Sequence, residues 1–203
     1  MNTFEYKGRK FAIISEPDND HGAPWDEYDG IGEIRTIRER GAKKPSEVII
    51  HTSRFEHWVY DVKASIEKAR RESWGLSDNA LAALRAKIKP TKHRVSMEPT
   101  PREIIRESVA RDMAYCRGYL NGDWGFVILG ATLLDRGGNK TEFSFSIGGV
   151  QSDQSDMDNK AILEDCAHQC LAELESHVAR LDEIQAAERA RLTELLTGNQ
   201  DAN

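Results

Sequence analysis

What this sequence lacks narrows the field first. No window approaches the roughly 18 uninterrupted apolar residues of a membrane-spanning helix, so no membrane partner is expected. The opening Met1-Asn2-Thr3-Phe4-Glu5-Tyr6 carries neither the basic nor the apolar block of a secretory signal, which makes the cytoplasm the expected compartment. Cysteine occurs three times, at Cys116, Cys166 and Cys170. An odd number, with two of them four apart in a helical pattern, is a poor disulfide framework and agrees with a reducing compartment. Cys166-x-His168-x-Cys170 does not make a zinc site, because helix residues two apart point to different sides. These thiols are expected to be buried and apolar.

Catalytic signatures are also missing. No serine stands in a G-x-S-x-G elbow. The glycine pairs Gly137-Gly138 and Gly148-Gly149 belong to turns, without the strand-to-helix fingerprint or P-loop lysine that would cradle phosphates. There is no internal repeat and no low-complexity linker. No catalytic residue, cofactor or resident metal is expected from the motifs.

What is present suits a globular chain: 39% hydrophobic and 31% charged residues over 203 positions, enough for one domain with an appendage. The net charge of −6 hides an asymmetry. Residues 151–203 hold twelve acids against four basic residues, a local balance of −8, which leaves the first 150 at about +2.

Hydrophobic patterning gives the elements. Phe11–Ile14 reads as a short strand after a polar lead-in, and the Pro- and Gly-punctuated stretch 16–32 reads as a loop. Val48–Thr52 and His57–Val62 are rich in β-branched and aromatic residues and read as a hairpin. A helix is predicted from Ala64 to Trp74, and a short one after Asp78. Thr100-Pro101 with Glu103 opens another helix, which closes at Asn121-Gly122. Trp124 begins a β-hairpin that turns at 135–139. Its alternation is clearest in Phe143, Phe145 and Ile147. A last helix runs from about Met157 to Leu196, about 60 Å at 1.5 Å per residue. That exceeds the roughly 35 Å width of a compact 150-residue body, so its second half must overhang, fold back or pair with another chain. Around Gln185–Arg191 its apolar stripe weakens, which favours a break or a solvated overhang over a continuous coiled coil. The expected fold is α+β, an antiparallel sheet of about five strands with helices on one face. Residues 1–155 form its core, and 156–203 form a long acidic C-terminal helix that packs on the core and partly protrudes.

Three stretches are candidates for function. The loop from Asp18 to Gly30 holds Asp18, Asp20, Asp26, Glu27, Asp29 and His21. Carboxylates among glycines suit a hard cation, and Asp18, Asp20, His21 and Asp26 would be the ligands of a metal-dependent enzyme. The spacing fails the calcium-loop pattern, since the glycine comes one position early and Asp29 stands where glutamate is needed. The same loop can instead meet a partner's arginines through Asp20, Asp26, Glu27 and Asp29, with Trp25 as an anchor if it projects outward. The second stretch is basic. Arg85, Lys87, Lys89, Lys92, Arg94 and Arg102 face only Glu98, and the first five would carry nucleic-acid binding through phosphates, without the interleaved aromatics that stack single strands. Third, His51 and His57 flank a turn beside Glu56 and Asp61, where a histidine–carboxylate pair can form.

Three segments resemble a loosely defined family of hypothetical proteins in bacteriophage and plasmid genomes. They are Gly22-Ala23-Pro24-Trp25-Asp26-Glu27-Tyr28-Asp29-Gly30, Gly122-Asp123-Trp124-Gly125-Phe126-Val127, and Gly148-Gly149-Val150-Gln151-Ser152-Asp153. In that family the strand often opens Gly-Glu/Asp-Trp-x-Tyr-Val and the close often reads Gly-Gly-x-x-x-Ile-Glu-Ser-Asp. Here Phe126 stands for the tyrosine, and Val150-Gln151-Ser152-Asp153 for the last four. The resemblance covers about a third of the chain and carries no activity that transfers residue by residue. It implies a mobile-element setting, in which small accessory proteins bind and disable host machinery, including CRISPR and restriction systems. The function expected on that basis is a non-enzymatic, anti-CRISPR-like inhibitor of a host defence complex in the host cytoplasm. Homodimerisation through the last helix is compatible with it.

Overall fold

The structure is a computed structural model that describes residues 2–89 and 96–197. In chain order the first elements are β1 (Thr3–Tyr6), β2 (Arg9–Pro17), α1 (Pro24–Glu27), β3 (Ile34–Ile37), β4 (Glu47–Thr52) and β5 (His57–Asp61). They are followed by α2 (Val62–Arg71), α3 (Asp78–Lys87), α4 (Pro101–Asn121), β6 (Phe126–Leu134), β7 (Lys140–Gln151) and α5 (Asp156–Thr197). The fold is α+β with antiparallel pairing throughout. Among the described residues seven strands form two sheets, where the sequence pointed to one sheet of about five. The chain divides into two compact units, one of residues 1–19 with 126–203, the other of residues 20–125. That division differs from the expected boundary at 155/156, because the two ends of the chain build one unit together.

The first unit is the sheet β1-β2-β6-β7 with α5. The supposed polar lead-in is strand β1. Lys7 and Gly8 both take positive φ, 48° and 73°, the two-residue hairpin turn whose twist matches the flanking strands. β2 then pairs with β6, Phe11 opposite Leu133 and Pro17 opposite Val127. In the β6–β7 hairpin, the Asp135 carboxylate accepts the Asn139 backbone N–H at 2.8 Å. Phe145 and Ile147 stay 40% and 36% exposed, so the expected alternation buries Phe143 alone of the three.

Ser155 caps α5, its hydroxyl oxygen accepting the Asp158 N–H at 3.2 Å. Cys166, Ala167 and Cys170 lie against Phe11, Ala131, Leu133 and Phe143, all buried. Small residues at this contact bring the helix close to the strand backbone, and the Cys170 thiol reaches the Ala131 carbonyl at 3.4 Å. Burial pushes the Cys166 thiol up to about 11, so it stays neutral and packs as an apolar group. Leu171 and Leu174 close the contact. Beyond them every residue from Glu175 to Leu196 is exposed. The helix is unbroken over its 42 residues, so of the two expectations the solvated overhang is observed and the break is not.

The second unit contains the sheet β3-β5-β4, with β5 central. α2 begins at Val62 because the Asp61 carboxylate accepts the Ala64 N–H at 3.1 Å. α4 carries the full capping box of Thr100 and Glu103 and ends at Gly122, whose φ of 75° is left-handed. Its stripe contributes Val109 and Cys116 to a core with Ile31, Ile50, Tyr60 and Ala69.

Candidate functional site

The acidic loop folds around one helical turn. Pro24 sets the first position of α1, and the Glu27 carboxylate accepts the Gly22 N–H at 3.1 Å. Asp20, Asp26, Glu27 and Asp29 are exposed. Trp25 is turned inward. Its ring lies 5.2 Å from that of Trp58 and edge-on to Tyr119 at 5.7 Å. Tyr119 in turn meets Trp124 at 5.2 Å, and Trp124 stacks on Tyr115 at 4.3 Å. Trp25 therefore anchors the loop to its own unit, and the outward anchor expected from a polar setting gives way to aromatic burial.

The proposed metal ligands are not assembled. The Asp18 carboxylate accepts the Gly149 N–H at 2.7 Å. Among the described residues no three histidine, cysteine or carboxylate side chains converge on one point. The hairpin histidines find neutral partners: His51 Nδ1 lies 3.0 Å from Asn121 Oδ1, and His57 Nδ1 lies 3.0 Å from Thr52 Oγ1. With Asp61 engaged as the α2 cap, the suggested histidine–carboxylate pair is absent among the described contacts.

The basic segment is partly neutralised. Arg85 pairs with Glu98 at 2.8 Å and Lys87 with Glu107 at 3.1 Å. Glu107 also pairs with Arg111 at 3.3 Å. Lys89 is exposed. Lys92 and Arg94 lie outside the described residues.

Two polar networks escaped the sequence reading. In one, the Asp112 Oδ2 of α4 accepts the Tyr60 hydroxyl at 2.5 Å and the Gly32 N–H at 2.8 Å. Alongside, the Ser65 hydroxyl donates to the Asp61 carbonyl at 2.7 Å and accepts the Glu33 N–H at 2.9 Å. Burial raises Asp112 above the usual carboxylate range, against the opposing pull of its two hydrogen bonds. The carboxyl borders a cleft of about 350 Å³, whose lining includes Trp74, Gly75, Ser108 and Arg111. A carboxyl of raised pKa in a cleft is a general marker of functional sites. Here both donors that hold it come from the protein itself, so its first effect is to fix the Gly32 loop on α4. One sequence signal could have found it: Asp112 falls in register with Val109, Met113 and Cys116 on the apolar stripe of α4.

In the other network, the Glu47 carboxylate is buried. It accepts Arg35 Nε at 2.7 Å, Arg35 Nη2 at 2.9 Å and the Lys44 N–H at 2.7 Å. The Arg35 fork holds Glu47 below the ordinary carboxylate range. It bridges β3 to β4 across the sheet.

Comparison with protein-family models, with curated proteins and with solved structures gives no match to any of them.

Proposed function

We propose that this chain is a non-enzymatic binding protein that disables a host defence complex, of CRISPR or similar type, and that distal α5 is its principal contact surface. One observation carries the reading. Val178, Leu181, Ile184, Leu192, Leu195 and Leu196 are 45–77% exposed on a helix that has already left its sheet. An apolar stripe held in water along a stretch of about 27 Å is the kind of surface that a protein partner covers. The exposed carboxylates of Asp20, Asp26, Glu27 and Asp29 supply a second, acidic surface suited to a partner's arginines. The host-defence target and the cytoplasmic setting rest on the phage and plasmid resemblance of the three segments.

A homodimer is the second reading, favoured by the 3–4 spacing of Leu171, Leu174, Val178 and Leu181, which resumes at Leu192 and Leu195. Gln185 and Glu188 occupy the seam between, so the pairing would be weak. The two readings separate in one experiment. Tagged full-length protein and a form ending at Leu174 are each used to capture partners from nuclease-treated bacterial lysate, with light scattering on both. A stoichiometric defence complex held only by the full chain supports the inhibitor. A dimer that becomes a monomer on truncation, with no complex captured, supports self-association. Recovery of nucleic acid alone removes the inhibitor and favours nucleic-acid binding through the basic segment of Arg85, Lys87 and Lys89. Failure of the full chain to protect phage or plasmid DNA in a defence-proficient strain refutes the inhibitor directly.

A further inference from the structure

Between α2 and α4 lies a groove made of two adjoining hollows, of about 540 and 340 Å³, which share Val62, Ile66 and Arg106. The smaller is apolar, continued by Val109, Ala110 and Met113 of α4. The larger is basic: Lys63, Arg70, Arg102 and Arg106 line it against the single carboxylate of Glu67. All four cations are exposed. Among the described residues none of the four is in an ion pair, whereas Lys87 of α3 and Arg111 of α4 both pair with Glu107.

The pattern follows from helical spacing. On α4, Arg102 and Arg106 stand one turn apart, and Val109, Ala110 and Met113 continue along the same side. On α2, Val62, Ile66 and Arg70 follow one i, i+4 row, with Lys63 on the row beside it. Arg106 bridges both hollows, so charge and apolar surface meet in one continuous depression.

We propose that this groove is a docking site for an acidic amphipathic helix of a partner protein. Charge and shape select that occupant. A nucleic-acid backbone would use the four cations and leave the apolar hollow empty of complementary surface. An apolar helix would fill the hollow and leave four cations without counter-charges. A helix with aliphatic side chains at i, i+4 and i+7 and glutamates on the flanks satisfies both at once. This surface belongs to residues 45–113 and is independent of distal α5, so the proposal stands or falls apart from the function proposed above.

The probe is a fluorescent synthetic helix of about 18 residues, about 27 Å long, with a leucine stripe and glutamate flanks, titrated into the full-length protein. Its counterpart with lysine flanks and a DNA duplex of about 20 base pairs serve as comparisons, at low and high salt. The glutamate helix is expected to bind at least about tenfold more tightly than the lysine helix, equivalent to about 1.4 kcal/mol. Arg70→Glu with Arg106→Glu is expected to reverse that preference. Arg38→Glu, an exposed cation outside the groove lining, is expected to leave it unchanged, as is truncation after Leu174. Equal binding of the two helices, equal loss in Arg38→Glu, or tighter binding of the duplex than of the glutamate helix each overturns the proposal. Circular dichroism melts keep the test valid, since the substituted arginines are exposed and the fold is expected to survive.

Discussion

Replacing Asp112 with alanine strips one acceptor from two donors at once. Tyr60 is fully buried, so its hydroxyl has no water to turn to. The Gly32 N–H loses its bond as well. A buried donor left without a partner costs about 1–3 kcal/mol, giving about 2–6 kcal/mol for the pair. Removing a carboxylate that burial disfavours returns part of this at neutral pH, which places the expected loss in the lower half of that range. Against a total stability of about 5–15 kcal/mol it is a large fraction, and at about 3 °C per kcal/mol for a chain of this length it lowers the melting temperature by about 6–12 °C. Asp112→Asn keeps an oxygen where Oδ2 stands and still accepts both donors. Its expected loss is under about 1.5 kcal/mol. Differential scanning fluorimetry on the two variants is the assay. If alanine and asparagine melt together, or alanine melts within about 2 °C of the parent, the network does not hold the Gly32 loop as argued.

Acid melts test the Glu47 and Asp112 carboxyls, which act with opposite signs. Glu47 sits below its ordinary range, so its contribution is present above about pH 4.3 and is lost as pH falls through the folded value; Glu47→Gln is expected to flatten that loss. Asp112 sits above its ordinary range, so stability from this group is highest below about pH 3.9 and declines as pH rises through the folded value; Asp112→Asn is expected to remove that decline. Gly32→Ala would drive a methyl group into Tyr60 Oη and Ser65 Oγ, and chemical denaturation is expected to show a loss of at least about 2 kcal/mol; a neutral result would mean that the loop shifts freely. Thr100→Ala removes half the α4 capping box, for an expected loss of about 1 kcal/mol by the same measurement.

Much of the helical framework was legible because its signals act over a few residues. Thr100, Pro101 and Glu103 fix the start of α4 by satisfying its first N–H groups, and Gly122 ends it by a left-handed turn. The β4–β5 and β6–β7 hairpins were visible in their β-branched runs and intervening turns. β3 was not: Ile34-Arg35-Thr36-Ile37 is a short edge strand inside a stretch of polar residues, and its pairing with β5 is what defines it. β1 escaped for the same reason, since its partner β2 was expected to begin only at Phe11. The candidate surfaces were read unevenly. The acidic loop's carboxylates were placed outside, as their charge requires, while Trp25 turned inward because two aromatic rings, Trp58 and Tyr119, contributed by residues 33 and 94 positions later, were there to receive it.

The sequence by itself determined the α+β class, the caps and turns, the buried thiols and a last helix too long for a compact body, because each depends on neighbours within a turn or two or on the summed length of one pattern. Only the tertiary structure decided that β2 pairs with β6 across more than a hundred residues, which splits the strands into two sheets. It also decided that Asp112 meets Tyr60 and Gly32, and that Arg70 and Arg106 share a groove. Those outcomes hang on which distant surfaces bury one another, and no local spacing encodes that choice.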